Sequence, residues 1–182
     1  MAGSRTLLVV SLVLLGLAGC SRTVDAPPPA PAVVHPRWTG CDGLGAYRGF
    51  EPLNDLPGRG GIPADFTPVA AVLCETAERP GKSAQAAPVT VDLERRATEI
   101  APLLTYLARP SRISTDSEDL VCPAMAWLPP WLFLLDDQGR WLSPQLPTTP
   151  CGFPLPESTS NGVASWDALP YTDKIIRIRK DG

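Results

Sequence analysis

Four of the five cysteines, those that follow residue 40, constrain the fold of the chain more than any other feature of the sequence. They are Cys41, Cys74, Cys122 and Cys151. In an exported chain an even number of cysteines indicates disulfides, here two of them. Three pairings are open, and we favour the sequential one, Cys41 with Cys74 and Cys122 with Cys151, in which each bridge closes a loop of about 30 residues. None of these cysteines has CxxC spacing, which argues against a redox motif, and an all-cysteine metal site is the remaining alternative.

The amino-terminal segment predicts that the chain is exported. It reads MAGSRTLLVVSLVLLGLAGC, with one charge at Arg5 and an apolar run from Leu7 to Ala18. A helix that crosses a bilayer needs about 20 residues, so this run is too short to span and has the length of a signal-peptide core. The rest of the sequence contains no longer apolar run.

The end of this segment, Leu17-Ala18-Gly19-Cys20, resembles the lipobox of bacterial lipoproteins. The resemblance implies that residues 1–19 are a signal peptide and that Cys20 is the first residue of the mature chain, acylated with palmitate or a related chain. It also implies a position at the cell membrane, lipid-anchored on the extracytoplasmic face. Acyl chains contribute roughly 0.8 kcal/mol per buried CH₂, so two or three chains anchor stably. The alternative is an ordinary secretory signal with an incidental cysteine.

Proline dominates residues 21–36, which read SRTVDAPPPAPAVVHP. Such a stretch favours polyproline II, so residues 20–36 are predicted to be a tether that holds the domain roughly 50 Å from the bilayer. His35 is predicted to be a solvated tether residue, because a single imidazole builds neither a catalytic triad nor a metal site. Residues 37–182 have the length of one domain.

Two hairpins are predicted within that domain. The apolar runs 67–75 and 88–94 flank a polar, turn-rich segment, which indicates antiparallel strands joined by a long loop. A second hairpin is predicted from strands 131–135 and 140–143. They flank the turn formers of residues 136–139, where a glycine supplies a positive φ.

One helix and one further strand complete the expected fold. Helical spacing of apolar residues predicts a helix within 98–109, beginning near Ala101 because Pro102 is tolerated only in the first turn. Residues 111–119 are predicted to be a polar loop, and residues 174–179 an edge strand. The expected class is therefore α+β, a small antiparallel sheet with one or two helices, cross-linked by two disulfides.

Charge and motifs argue against several classes of function. The net charge is −3, and phosphate binding needs a basic face, so no nucleic-acid partner is expected. The glycine-rich residues 56–63 lack the spacing of a phosphate-binding loop. The acidic loop of Asp116, Glu118 and Asp119 lacks the residue order of a calcium loop. We therefore predict no metal site and no cofactor.

The only candidate catalytic pair is Asp136 with Asp137. Both lie where the second hairpin needs turn formers, so a role in the turn is favoured. An enzyme would need two carboxylates across a cleft, and nothing in the sequence marks a pair for that. The prediction is that the protein is not an enzyme.

Residues 122–127, which read CPAMAW, form the candidate binding loop. Cys122 with Pro123 at one end and Pro129 with Pro130 beyond the other are expected to keep the segment extended and rigid. Rigidity lowers the entropy cost of binding. Trp127 is expected to be exposed, whereas Trp131 and Trp141 are expected to pack in the core. The candidate contact residues are Pro123, Ala124, Met125 and Trp127.

From Val69 to Cys151 the order of features is similar to that of the bacterial subtilisin-inhibitor-like family. The shared features are, in order, a strand with Cys74, Asp92-Leu93, a short helix over Ile100–Leu107, Cys122-Pro123, the hairpin Leu132–Trp141, and Cys151. The resemblance implies that the Cys122–Cys151 bridge secures a reactive loop with its scissile-like bond at Ala124–Met125. In this chain Cys41 would replace a family cysteine that has no counterpart near Val91.

These observations predict a lipid-anchored extracytoplasmic envelope protein with a non-catalytic binding role. Its expected partners are the membrane, through lipidated Cys20, and an unknown envelope protein or secreted protease. The alternative is a protease-inhibitor-like module that acts through the loop 122–127. An enzyme that uses Asp136 or Asp137 ranks last.

Overall fold

The structure is a computed structural model that describes residues 23–44, 58–81, 87–116, 120–125, 127, 130–156 and 166–178. Its strands and helices are β1 (Thr23–Asp25), a 3-10 helix (Cys41–Leu44), β2 (Ala70–Arg79), β3 (Val89–Ala97), α1 (Ala101–Leu107), β4 (Arg112–Ser114), β5 (Trp131–Leu135), β6 (Trp141–Leu142) and β7 (Thr172–Ile178). Within these residues no helix has the length and apolar character to cross a membrane.

A five-stranded antiparallel sheet forms the centre of the fold, with the strand order β6-β5-β2-β3-β7. The predicted hairpin of residues 67–75 and 88–94 is confirmed as β2 and β3, which pair from Ala71 opposite Ala97 to Arg79 opposite Val89. The second predicted hairpin is confirmed as β5 and β6. The strand predicted near the carboxyl end is confirmed as β7, which pairs with β3 at the edge of the sheet.

The central strands are covered on both faces, which explains why β5 reads as an uninterrupted apolar run. Successive side chains of a strand point to opposite faces. Leu132 and Leu134 accordingly lie in one buried cluster with Leu103 of α1. Phe133 and Leu135 lie in a second cluster on the other face. The two clusters place the core on both sides of one sheet.

The α+β prediction is wrong, because the described residues are mostly sheet and contain a single α-helix of seven residues. The helix begins at Ala101 as predicted, but Pro110 follows it closely and limits it to two turns. Residues 26–40, hereafter the arm, are irregular backbone that contributes to both buried clusters, with Ala32 in the first and Trp38 packed against the second. Strands therefore dominate the described part of the chain.

The arm belongs to the segment predicted as a free tether, yet it packs on the sheet. The Ala32 N–H donates to the Gly61 carbonyl at 2.8 Å, and the Val33 N–H donates to the Gly58 carbonyl at 2.9 Å. Ala32 is buried in the core. His35 exchanges two main-chain hydrogen bonds with Trp141, and its ring stacks on the indole at 4.0 Å between centroids. His35 is therefore half-buried against the sheet and not a solvated linker residue.

Two disulfides join distant parts of the chain, Cys41 with Cys74 and Cys122 with Cys151. This is the sequential pairing that the sequence favours. The first bridge fixes the end of the arm to β2, and both of its cysteines are buried in the second cluster. The Cys41 N–H also donates to a carboxylate oxygen of Glu94 at 2.9 Å, so the same point is held from β3.

The backbone of the arm packs closely against Gly60 of the glycine-rich segment. A Cβ on Gly60 would lie 2.3 Å from the Ala30 carbonyl oxygen and 2.6 Å from the Ala32 nitrogen, both in backbone. We expect Gly60→Ala to displace the arm and to lower the free energy of unfolding by about 1 to 3 kcal/mol. Gly61→Ala is the matched control, because its Cβ would meet only ordinary contacts of 3.4 Å or more.

Native-state hydrogen exchange of the amides of Ala32 and Val33 measures this effect. Faster exchange in Gly60→Ala than in Gly61→Ala is the expected outcome. Equal protection in the two variants would show that the arm does not depend on this approach.

A two-stranded antiparallel ribbon of β1 and β4 lies outside the main sheet. The polar-loop prediction for residues 111–119 is wrong over residues 112–114, which form β4. The strand forms because β1, in the segment predicted as a tether, supplies its partner, with Val24 opposite Ile113. The Arg112 N–H donates to the Thr148 carbonyl at 2.7 Å, which joins the ribbon to the rest of the domain.

Candidate functional site

The candidate loop of residues 122–127 is exposed from Cys122 to Met125, and the preceding residue Val121 is exposed as well. Val121 is 91% exposed and Met125 is 71% exposed, the two most exposed large apolar side chains among the described residues. Pro123 and Ala124 are exposed as well. A short segment thus presents apolar side chains to solvent.

The disulfide Cys122–Cys151 holds the amino-terminal side of this loop. Cys151 lies in a tight turn, in which the Gly152 N–H donates to the Thr149 carbonyl at 2.9 Å and the Thr149 N–H donates to the Phe153 carbonyl at 2.7 Å. Gly152 takes a φ of 77°, which favours glycine. The loop is therefore cross-linked to a turn with its own hydrogen bonds.

The carboxyl-terminal side is held by packing and by the half-buried side chain of Arg59. Trp127 was expected to be exposed, but it is half-buried and packs against the core cluster that contains α1. The Arg59 guanidinium donates to the Pro130 carbonyl at 3.1 Å, and burial lowers the pKa of Arg59. Trp127 therefore anchors the loop, and the nearby side chains of Ala124 and Met125 remain exposed to solvent. Nothing in the local sequence identifies Arg59 for this role.

The carboxylate of Asp136 is committed to the turn between β5 and β6. One of its oxygens accepts from the main-chain N–H of Gln138 at 3.0 Å and of Arg140 at 2.8 Å. The other forms an ion pair with the Arg140 side chain at 2.6 Å. Gly139 takes a φ of 75°, as the turn prediction requires. Asp137 is exposed next to Asp136. The two aspartates are therefore turn residues, as the turn prediction has them.

These bonds predict how stability depends on pH. Desolvation alone would raise the pKa of Asp136, but the hydrogen bonds and charge of Arg140 outweigh it and lower the pKa overall. A lowered pKa means that the carboxylate stabilises the fold above the unfolded-state pKa of about 3.9, and that this contribution is lost as pH falls through the folded-state value.

We therefore expect Asp136→Asn to lower the melting temperature at pH 7 and to differ less and less from the wild type as the pH falls below about 4. Asp137→Asn is the matched control, because Asp137 is exposed. If the melting temperature of Asp136→Asn stays as far below that of the wild type at the lowest pH as at pH 7, the assigned role of the Asp136 carboxylate is contradicted.

A network of charges links the three strands on the β7 side of the sheet. Arg95 pairs with Glu75 at 3.3 Å and with Asp173 at 3.0 Å, and its guanidinium lies 4.6 Å from the centre of the Tyr171 ring. Burial raises the pKa of Glu75 against the opposing charge of Arg95. Desolvation would raise the pKa of Asp173, but the bonds from Arg95 and Arg79 lower it overall. This network attaches the edge strand β7.

The tryptophans of the second hairpin pack in the interior, as expected. Trp131 and Trp141 are half-buried against the cluster of Phe133, and the Trp141 and Phe133 rings meet edge to face at 5.3 Å. Trp166 is buried and meets Tyr106 of α1 edge to face at 5.7 Å. These side chains therefore do not form an exposed aromatic platform.

Of the remaining predicted site residues, the structure describes only Asp116. Cys20, Glu118 and Asp119 lie outside the described residues, and Asp116 is exposed next to β4. Within the described ranges, no three His, Cys, Asp or Glu side chains are grouped as metal ligands would be. Comparison of the chain with protein-family models, with curated proteins and with solved structures finds no match.

Proposed function

We propose that this protein is a lipid-anchored, extracytoplasmic envelope protein that binds a partner through the loop 122–127 and does not act as an enzyme. The lipobox-like end of the apolar run, Leu17-Ala18-Gly19-Cys20, supports the anchor. Two disulfides support an oxidising compartment, because cytosolic thiols are kept reduced.

The anchor is tested by fractionating cells that express the wild type or Cys20→Ala. The wild type should sediment with membranes and be released by detergent but not by high salt, because acyl chains bind through the hydrophobic effect. Cys20→Ala should lose the acyl group. Recovery of the wild type in the soluble fraction would contradict the anchor.

The proposed binding role is supported by an exposed apolar loop that is held on both sides. The disulfide fixes Cys122, and packing fixes Trp127. The exposed side chain of Met125 lies between these two residues, and that of Val121 directly precedes Cys122. A loop that is ordered before binding loses less entropy when a partner docks. Large apolar side chains at such a position supply the area that a partner would bury.

Protease inhibition is the second candidate function, and one observation favours it. The order of elements is the one that the subtilisin-inhibitor-like resemblance implies. It runs from the strand with Cys74 through the helix α1 and the exposed Cys122-Pro123 to the β5–β6 hairpin. The disulfide lies two residues from the Ala124–Met125 bond. A rigid loop of this kind binds a protease as a substrate does, but it resists opening after cleavage.

The test is to titrate subtilisin with the mature protein, residues 20–182 in detergent with its disulfides intact, and to measure residual protease activity. Stoichiometric loss of activity with slow cleavage at Ala124–Met125 is the expected result for an inhibitor. Rapid digestion of the loop, or survival without inhibition, would limit the function to binding of another envelope protein.

Ala124→Lys provides a specificity test of the same loop. The residue before a scissile bond enters the primary pocket of a serine protease, and trypsin selects a cation there. If the loop is an inhibitor, Ala124→Lys should gain inhibition of trypsin. The matched control adds Cys122→Ala and Cys151→Ala to this variant, which should turn the inhibitor into a substrate that trypsin cleaves rapidly.

A further inference from the structure

The distance between the proposed lipid and the folded domain is short. Only Ser21 and Arg22 separate Cys20 from Thr23, the first residue of β1. Three peptide units span at most about 11 Å between α-carbons. The free tether that the proline content predicts would have reached roughly 50 Å. Since β1 is already part of the fold, the domain has no such reach.

The ribbon of β1 and β4 is firmly attached to the domain. The Ala26 N–H donates to the Ser111 carbonyl at 2.7 Å, immediately beyond the last strand pair. On the other side, the Thr148 N–H donates to the Ser111 hydroxyl at 3.1 Å, and the Thr148 carbonyl accepts from Arg112. Movement of the ribbon therefore moves the domain with it, so a contact made by the ribbon orients the whole body.

One face of the ribbon is apolar and exposed. Val24 and Ile113 are directly opposed in the register and are 42% and 45% exposed. Side chains of opposed residues in an antiparallel pair lie on the same face. The two side chains therefore form a small apolar patch, in which Val24 lies four residues after Cys20.

The charges of the ribbon are matched. Asp25 and Arg112 are its only charged residues, and they form an ion pair at 2.7 Å. By the alternation of side chains they lie on the face opposite Val24 and Ile113. The apolar face of the ribbon can therefore approach lipid headgroups, because neither strand places a charged side chain on that face.

From these observations we propose that the Val24–Ile113 face of the ribbon rests on the lipid surface and fixes the orientation of the domain on the membrane. The proposal depends on the proposed acylation of Cys20. Acyl chains bring Cys20 to the headgroup layer, and the headgroup layer on each side of a bilayer is about 5 to 8 Å deep. Thr23 lies within about 11 Å of that point and Val24 within about 14 Å, so the ribbon can reach the headgroup layer.

Fluorescence quenching by a spin-labelled lipid tests the proposal. Single variants Val24→Cys and Ile113→Cys can be labelled selectively with a thiol-reactive fluorophore, because Cys20 would be acylated and the other cysteines are in disulfides. Ile175→Cys is the matched control. Ile175 is an exposed isoleucine (54%) on β7, the edge of the sheet farthest from β6.

Each labelled variant is extracted from membranes and reconstituted into phosphatidylcholine vesicles that contain phosphatidylcholine with a nitroxide headgroup. The labels at positions 24 and 113 should lose most of their fluorescence, and the label at position 175 should lose little. The mass of the amino-terminal peptide is measured on the same samples to establish acylation.

Two results would overturn the proposal, and they are distinguishable. If the peptide is acylated but the labels at positions 24 and 113 are quenched no more than the label at position 175, the ribbon does not face the lipid and the anchor stands. If the peptide carries no acyl group, the anchor and the proposed orientation both fail.

Discussion

Replacing Cys41 and Cys74 together with alanine is expected to lower the free energy of unfolding by about 2 to 5 kcal/mol. The bridge spans 33 residues, and the chain-entropy model assigns about 3.7 kcal/mol to a loop of that length. Both cysteines are also buried in the cluster of Phe133, so their sulfurs contribute packing as well. Urea unfolding followed by tryptophan fluorescence measures the change.

The matched control is the pair Cys122→Ala and Cys151→Ala, whose bridge spans a similar 29 residues. The entropy term is then nearly equal, but Cys122 is exposed. We expect the first pair alone to shift the native-state emission toward the red, because release of the arm exposes Trp38 and Trp141. Unchanged stability and emission after loss of the Cys41–Cys74 bridge would contradict the role assigned to the arm.

Phe133→Ala is expected to cost about 3 to 5 kcal/mol of unfolding free energy. Phe133 is fully buried in the middle of β5, and its ring contacts those of Trp38 and Trp141 at 5.1 and 5.3 Å between centroids. Truncation would leave a cavity between the sheet and the arm. Thermal and urea unfolding both report this loss.

Phe153→Ala is the control for that substitution, because Phe153 is half-buried in the turn near Cys151. It should cost clearly less than Phe133→Ala. Equal losses at the two positions would show that the second cluster is not the tightly packed core that the structure presents.

Local pattern was sufficient to predict the elements that form the main sheet. The run WLFLL has the length and residue types of a buried strand, and Asp136 and Gly139 follow it with the chemistry of a turn. Pro102 sets the start of α1 because proline is tolerated in the first turn of a helix. These elements depend on residues that are neighbours in the sequence.

The arm and the ribbon could not be predicted in the same way. Residues 26–40 have no apolar period, and proline content alone indicates a solvated polyproline segment. Their packing depends on distant residues, namely the close approach that Gly60 permits and the main-chain exchange with Trp141. The strand β4 likewise forms only because β1 pairs with it. Non-local partners of this kind leave no local signal.

The exposure of residues 122–125 was predictable from the sequence, but the contacts that hold the candidate loop were not, and its binding role stays a prediction. Cys122 and Pro123 indicated a rigid segment, and the exposure of Ala124 and Met125 agrees with a loop available for binding. Trp127 lies between prolines, which suggested exposure, but an indole packs wherever an apolar surface is within reach. The contact of Arg59 with Pro130 joins residues that are 71 positions apart, so no sequence pattern identifies it.

The mass of the amino-terminal peptide decides whether the protein is held at the membrane by acyl chains on Cys20. Protein extracted from membranes should lack residues 1–19 and begin at Cys20, with a mass increased by two or three acyl chains. The same peptide from Cys20→Ala should carry no such addition. An amino terminus elsewhere, or an unmodified Cys20 in the wild type, would contradict the lipid anchor and the membrane orientation that depends on it.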